Sequence, residues 1–219
     1  MLSNSPTNNP GILYVVATPV GSRDDITLRA LHILGEVDLV AAEDTRHTGR
    51  LLKHHGIQTR FVAYHEHNET RQTPILLKKL QQGQRIALVS SAGTPTISDP
   101  GYRLVEAATS AGIQVVPVPG VCAAVAALSA SGLPTDSFLF VGFPQRKTSR
   151  RARQLQALAD EPRTVIFYES PRRLVALIEE LAGVFGDRRA VLAREVTKRY
   201  EEFLRGSLVE LKNRLRRRP

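Results

Sequence analysis

The feature that most constrains this chain is the alternation of short apolar runs with helical patterns through its first half. ILYVVA (12–17), VDLVAA (37–42), RFVAY (60–64), IALVS (86–90) and QVVPV (114–118) read as strands. Apolar residues at helical spacing follow four of them, over Asp24–Leu34, Thr48–His55, Thr73–Gln82 and Tyr102–Ala111, and an Ala-rich helix over Val121–Ser131 follows the fifth. Strands alternating with helices mean βαβ units and a mostly parallel sheet. GLPTDS (132–137) reads as a linker. Beyond it, strands at Phe138–Phe143, Thr164–Tyr168 and Ala190–Arg194 enclose a basic helix near Lys147–Ala159 and an amphipathic helix near Arg172–Val184. The expected organisation is a flexible N-terminus over 1–11, an N-terminal α/β domain with a parallel sheet over 12–133, and a C-terminal α/β domain over 134–219. The chain ends in LKNRLRRRP, where a second sheet wants a further strand, so that domain is expected to be truncated at its end.

Composition narrows the class. The 219 residues are 42% hydrophobic and 23% charged, enough apolar material for a core and against wholesale disorder. No apolar run reaches the ~18 residues that span a bilayer. The polar start MLSNSPTNNPG has neither the basic nor the apolar region of a secretory signal. Cys122 is the one cysteine, which excludes a disulfide framework and a multi-cysteine zinc site and fits a reducing, cytoplasmic setting. Thirty Lys and Arg against 21 Asp and Glu leave a net charge of +9. Such a balance suggests a polyanionic partner, nucleic acid first, although a GC-rich genome that favours Arg gives the same bias.

The chemistry-bearing residues cluster where strands end. No GxGxxG follows the first strand, and neither GxxxxGK[ST] nor GxSxG occurs, so the dinucleotide, P-loop and nucleophile-elbow signatures all fail. The turn Thr18-Pro19-Val20-Gly21 lies at a strand's carboxyl end, the rim where open α/β sheets bind ligands. Glu43-Asp44-Thr45-Arg46-His47 gathers two acids, an Arg and a His; the same residues also suit a helix start with Asp44 or Thr45 as N-cap. His65-Glu66-His67-Asn68-Glu69 offers polar substrate contacts or a solvated loop. A His-x-His metal pair finds no third ligand at a recognisable spacing, so no metal is expected. Ser90-Ser91-Ala92-Gly93-Thr94-Pro95, continuing to Asp99-Pro100-Gly101, joins small residues that admit close backbone approach to prolines that stiffen the loop. Pro119-Gly120-Val121-Cys122-Ala123 opens a helix of small residues, suited to tight packing or to a ligand on its backbone N–H groups. Lys147, Arg150, Arg151 and Arg153 form a candidate phosphate track or a solvated helix face.

The order of these blocks resembles the tetrapyrrole methylase superfamily, and within it the branch that methylates a ribose 2′-hydroxyl of a cytidine in the decoding region of small-subunit ribosomal RNA. LYVVATPVG (13–21), AAEDTRHT (41–48), HEHNE (65–69), AGTPTISDPG (92–101), PVPGVCAA (117–124), GFP (142–144), FYESPRRL (167–174) and AREVTKRYEE (193–202) carry the resemblance. It implies two α/β domains of the class III S-adenosylmethionine (SAM) methyltransferase type, with the cofactor cleft between them, a homodimer, and no metal. The cofactor site would draw on Pro19, Gly21, Ser91, Ala92, Gly93, Thr94, Pro95, Pro119, Gly120 and Ala123, with Gly142 and Arg194 from the second domain. The family usually carries Asp where this chain has Ser91, and it continues beyond this C-terminus with a Gly-Glu-led strand and a basic tail.

For methyl transfer to a hydroxyl, Asp44 is the first candidate base, with Glu43 or Glu169 next and His65 as an outside choice. Arg46, Arg172 and Lys198 would hold phosphates beside the ribose or acidify its hydroxyl. His65, Asn68, Lys147, Arg150, Arg151, Arg153, Arg172 and Arg173 are the candidate RNA contacts. Two alternatives remain: a small-molecule methyltransferase acting on a porphyrin-like precursor, and an inactive relative that only binds RNA.

Overall fold

A computed structural model describes residues 10–217, so most of the expected flexible segment 1–11 lies outside the described residues. The chain divides after Cys122 into two compact units. In the first, β1 (Ile12–Val16), β2 (Leu39–Ala42), β3 (Phe61–Ala63), β4 (Ile86–Val89) and β5 (Gln114–Val118) form one sheet in the order β3-β2-β4-β1-β5. Every pairing in it is parallel. Helices α1 (Leu28–Glu36), α2 (Thr45–His54), α3 (Glu69–Gln81) and α4 (Tyr102–Ser110) make the crossovers.

Handedness decides which face each helix covers. From β1 through β2 to β3 the chain steps toward one edge; from β3 through β4 to β5 it steps back. Right-handed crossovers therefore put α1 and α2 on one face and α3 and α4 on the other. The two cores follow. Ala30, Ile33 and Leu34 of α1 and Leu52 of α2 pack on Val16, Val40, Ala42, Ala87 and Val89. Leu76 and Leu80 of α3 and Leu104 and Ala108 of α4 pack on Leu13, Ala41, Ile86 and Leu88. Successive residues of β4 thus alternate between the two cores, and all four are buried, as a central parallel strand requires. Pro117 sits in β5, an edge strand, where a missing N–H is tolerated.

Helix starts differ from the sequence expectation for local reasons. Asp24 belongs to a 3-10 turn over Arg23–Asp25, and α1 begins only at Leu28, where the Thr27 hydroxyl accepts from Ala30 N–H. Helix α2 begins three residues early because Asp44 caps it. Helix α3 begins at Glu69, four residues before the expected start at Thr73, and runs through Pro74.

The second unit opens with α5 (Ala123–Ser129), which the sequence reading gives to the first domain. Its polar ties lie within the second unit: Tyr168 Oη accepts from Ala124 N–H at 3.0 Å, and the Arg205 guanidinium donates to the carbonyls of Ala130 and Ser131. Strands β6 (Phe138–Gly142) and β7 (Thr164–Phe167) pair in parallel, and β8 (Arg189–Arg194) pairs antiparallel with β9 (Glu202–Ser207). Helices α6 (Thr148–Gln156), α7 (Pro171–Phe185) and α8 (Leu208–Arg216) complete it. Leu155, Leu177, Leu181 and Leu208 form one core, and Ile178, Leu204 and Leu211 another. The sequence reading passes over β9 and α8. Among the described residues, no helix is long and apolar enough to cross a membrane.

Candidate active site

In the first unit, three loops leave the carboxyl ends of adjacent strands β4, β1 and β5 and are fastened to one another. Thr18 N–H donates to Gly93 C=O at 2.8 Å, and Gly93 N–H returns a bond to Thr18 C=O at 2.9 Å. The buried Thr18 hydroxyl donates to Ser90 C=O at 3.1 Å, and the Thr94 hydroxyl to Val121 C=O at 3.0 Å. Gly93 therefore spends its own N–H and C=O on this bridge, and its contribution is shape. Its φ is +81°, and a Cβ there would lie 3.5 Å from Val20. Gly120 permits a close approach of another kind, since a Cβ on it would stand 2.9 Å from that of Ala17. Pro19 and Pro95 are buried beneath this rim, Gly21, Ser91 and Thr94 are half-buried, and Ala92, Pro119 and Gly120 are exposed.

The loop after β4 is strained. Thr96 and Ser98 hold φ of +73° and +62°, left-handed values that a β-branched residue adopts only when its surroundings enforce them. Each such residue costs about 1–3 kcal/mol, a pattern that concentrates at functional sites. Glu69, 32 residues away in sequence, pins the far end of this loop by accepting from Gly101 N–H at 2.8 Å.

Two carboxylates meet at this rim. Glu43, at the end of β2, accepts from Ser91 N–H at 2.8 Å. Asp99 has its carboxyl pushed up to about 6, first by burial and then by the negative charge of Glu43, while a hydrogen bond with the Ser90 side chain opposes the shift. The sequence reading quotes Asp99 within its block but gives it no role. The signal was present: a lone carboxylate in a rigid loop of small residues.

The other candidate acids are committed elsewhere. Asp44 Oδ1 accepts from Arg46 N–H at 2.8 Å and His47 N–H at 3.0 Å, and these backbone bonds lower its pKa. It is the N-cap of α2, the alternative that the sequence left open. Arg46, two residues on, has an exposed side chain. Glu169, in the second unit, has a side chain only 4% exposed; its Oε1 accepts from the Arg173 guanidinium and from Ser170 N–H, both at 2.6 Å. Lys198 pairs with Glu195 at 3.2 Å and Arg194 with Glu202 at 3.1 Å. Gly142 is buried at φ +69°, with its carbonyl on Tyr168 N–H.

The candidate RNA contacts divide in the same way. Arg151 lies against Glu180 in a two-pronged pair at 2.6 and 2.7 Å, and Arg173 is spent on Glu169. Asn68 is a turn clamp: its side chain accepts from His65 N–H and donates to Ala63 C=O. The His65 ring meets that of His67 edge-on at 6.1 Å, and its Nδ1 is buried without a hydrogen-bond partner among the described residues. Lys147, Arg150, Arg153 and Arg172 are exposed and form no ion pair among the described residues. No group of three or more metal-ligating side chains that could hold an ion exists among those residues.

Residues 12–212 match the model of the Tetrapyrrole (Corrin/Porphyrin) Methylases. The chain belongs to that family. A curated member from Escherichia coli O157:H7, named ribosomal RNA small subunit methyltransferase I, is 56% identical over 198 residues, which cover 90% of this chain and 69% of that one. A Pseudomonas aeruginosa protein of the same name is 55% identical over 202 residues, 92% of this chain and 72% of its own length. The crystal structure of uroporphyrin-III-C-methyltransferase from Thermus thermophilus superposes with a TM-score of 0.66 at 26% identity, covering 93% of this chain and 88% of that one. This tetrapyrrole methylase thus has the α/β fold of the family, with the parallel sheet that the alternation of strands and helices predicted.

Proposed function

We propose that this chain transfers a methyl group from SAM to the 2′-hydroxyl of a cytidine in the RNA of the small ribosomal subunit. One observation carries the reading: identity above 50% over nine-tenths of the chain to relatives named as methyltransferases of that RNA. The net charge of +9 supports it over a small-molecule acceptor, because a charged polymer binds largely through its phosphates. The reading includes a homodimer in the cytoplasm.

The fastened rim of the first unit suits SAM. Gly93, at φ +81°, and Gly120, packed directly on Ala17, let the loops close on one another, and the mutual bonds of Thr18, Gly93, Thr94 and Val121 hold that backbone in place before binding. Gly21, Ser91, Ala92, Thr94 and Pro119 would line it, over the buried Pro19 and Pro95. When bound, SAM supplies a sulfonium methyl whose departure leaves a neutral thioether. The chain then has to align the acceptor oxygen and accept its proton. Alignment is worth about 7–11 kcal/mol and a positioned base about 10²–10⁴-fold. Asp99 is the better-matched proton acceptor, because a base is most effective when its pKa lies near the working pH. Asp44 is held below the ordinary range by its capping bonds. Glu43 keeps Asp99 basic by its charge and holds Ser91 by its hydrogen bond. Arg46 in the first unit, and Arg172 and Lys198 in the second, are the proposed phosphate contacts of the RNA.

The test is transfer of labelled methyl from SAM to unmethylated small subunits, with nucleoside analysis of the product. The expected product is 2′-O-methylcytidine. Label in a base, or methyl incorporation that is unaffected by prior ribonuclease treatment of the substrate, would refute the reading.

A further inference from the structure

One aromatic ring of the second unit is exposed although its surroundings hold it still. Phe143 follows β6 directly, and 52% of it is open to solvent. Its ring packs edge-on against Tyr168, with centroids 5.6 Å apart and planes at 64°. Tyr168 is itself fixed, by Phe140 at 5.1 Å on another side and by Ala124 N–H on its hydroxyl. The ring thus offers surface to solvent while paying little entropy to stay in place.

The chain beside it is basic and equally constrained. Gln145 N–H donates to the Gln154 side chain at 3.0 Å, and Arg151 donates to the carbonyls of Gln145 and Arg146. Arg151, clamped by Glu180, is therefore the bracket that ties residues 145–146 onto α6. That leaves Arg146, Lys147, Arg150 and Arg153 exposed, none paired with a carboxylate among the described residues. A solvated helix face of ordinary composition interleaves acids with such cations. Here the stretch from Phe143 to Leu158 contains no Asp or Glu at all.

We propose that Phe143 and the cations Arg146, Lys147, Arg150 and Arg153 form a docking surface for single-stranded RNA, the ring stacking on one nucleobase and the cations following the phosphates. The proposal rests on the RNA-methylating reading and adds which surface holds the strand. Charge complementarity commits it to a polyanion, and the fixed aromatic commits it to one with unstacked bases. Protein surfaces that hold single strands combine the same two elements.

The test is fluorescence anisotropy of a labelled single-stranded RNA of about a dozen nucleotides, bound by the full chain at a series of salt concentrations, with SAM affinity measured in parallel by calorimetry. Phe143→Ala should weaken RNA binding about tenfold without changing the salt slope, and Phe143→Trp should restore it. Replacing Arg146, Arg150 and Arg153 together by Ala should lower the slope by about 2, at roughly 0.7 per phosphate contact on a single strand. All variants should keep their SAM affinity. Unchanged RNA binding in Phe143→Ala, or a loss of SAM affinity in its place, would overturn the proposal; the second result would assign the ring to the cofactor. If the wild-type chain binds the RNA through this surface but methylates no small subunit, the docking surface stands and the proposed activity falls.

Discussion

Replacing Asp99 with Asn should stabilise the protein, by an amount that grows from about pH 4 and is complete above about pH 6. The Asp99 carboxyl rises from 3.8 to about 6 in the folded chain, through burial and the nearby Glu43 charge. Between about pH 4 and 6 the folded chain keeps a proton that the unfolded chain has released, so stability falls as pH rises through that window. A shift of two units corresponds to about 3 kcal/mol at full strength. Asp99 is only partly buried, and solvent screening reduces the expected penalty to about 1–2 kcal/mol. Asn has nearly the same size and shape and never carries the charge. Urea unfolding followed by circular dichroism at pH 4 and pH 8 measures the difference. Asp99→Asn should match the wild type at pH 4 and exceed it at pH 8, while losing methyl transfer. A gain of equal size at both pH values would show that burial of charge is not the cause. A stable variant with full activity would remove Asp99 from proton transfer.

Three further perturbations separate structural from chemical roles. Asp44→Asn should retain most of the thermal midpoint and most of the turnover, because an amide oxygen still caps α2, whereas Asp44→Ala should lower both; a folded Asp44→Asn without turnover would return Asp44 to the role of base. Arg151→Ala should cost about 2 kcal/mol in chemical denaturation, between the values for exposed and fully buried ion pairs, since it strands Glu180. Gly120→Ala drives a methyl to 2.9 Å from Ala17 Cβ, so calorimetry should find weaker SAM binding and melting a loss of about 1–3 kcal/mol.

What could be read from the sequence was what depends on neighbours in the chain. Parallel strands buried on both faces are continuous apolar runs, so β1 and β4 stood out, and the loops that follow parallel strands had to lie on one rim. The eight blocks in order carried the family resemblance. Strand β9, EFLRGS, has no clean alternation; it is a strand because β8 lies antiparallel to it from Arg189–Ser207 to Arg194–Glu202. Residue roles depended still more on the fold. Asp44, Glu169 and Asp99 are each carboxylates near a strand end. Only the folded chain gives two backbone N–H groups to Asp44, a guanidinium to Glu169, and a buried place beside Glu43 to Asp99. The proton affinity of a carboxylate is set by desolvation and by charges within a few ångströms. Asp44 and Glu169 take their partners from within four residues, which is why the N-cap reading of Asp44 was already open in the sequence; the neighbour of Asp99 came from the end of β2, tens of residues away, and no local pattern specified it.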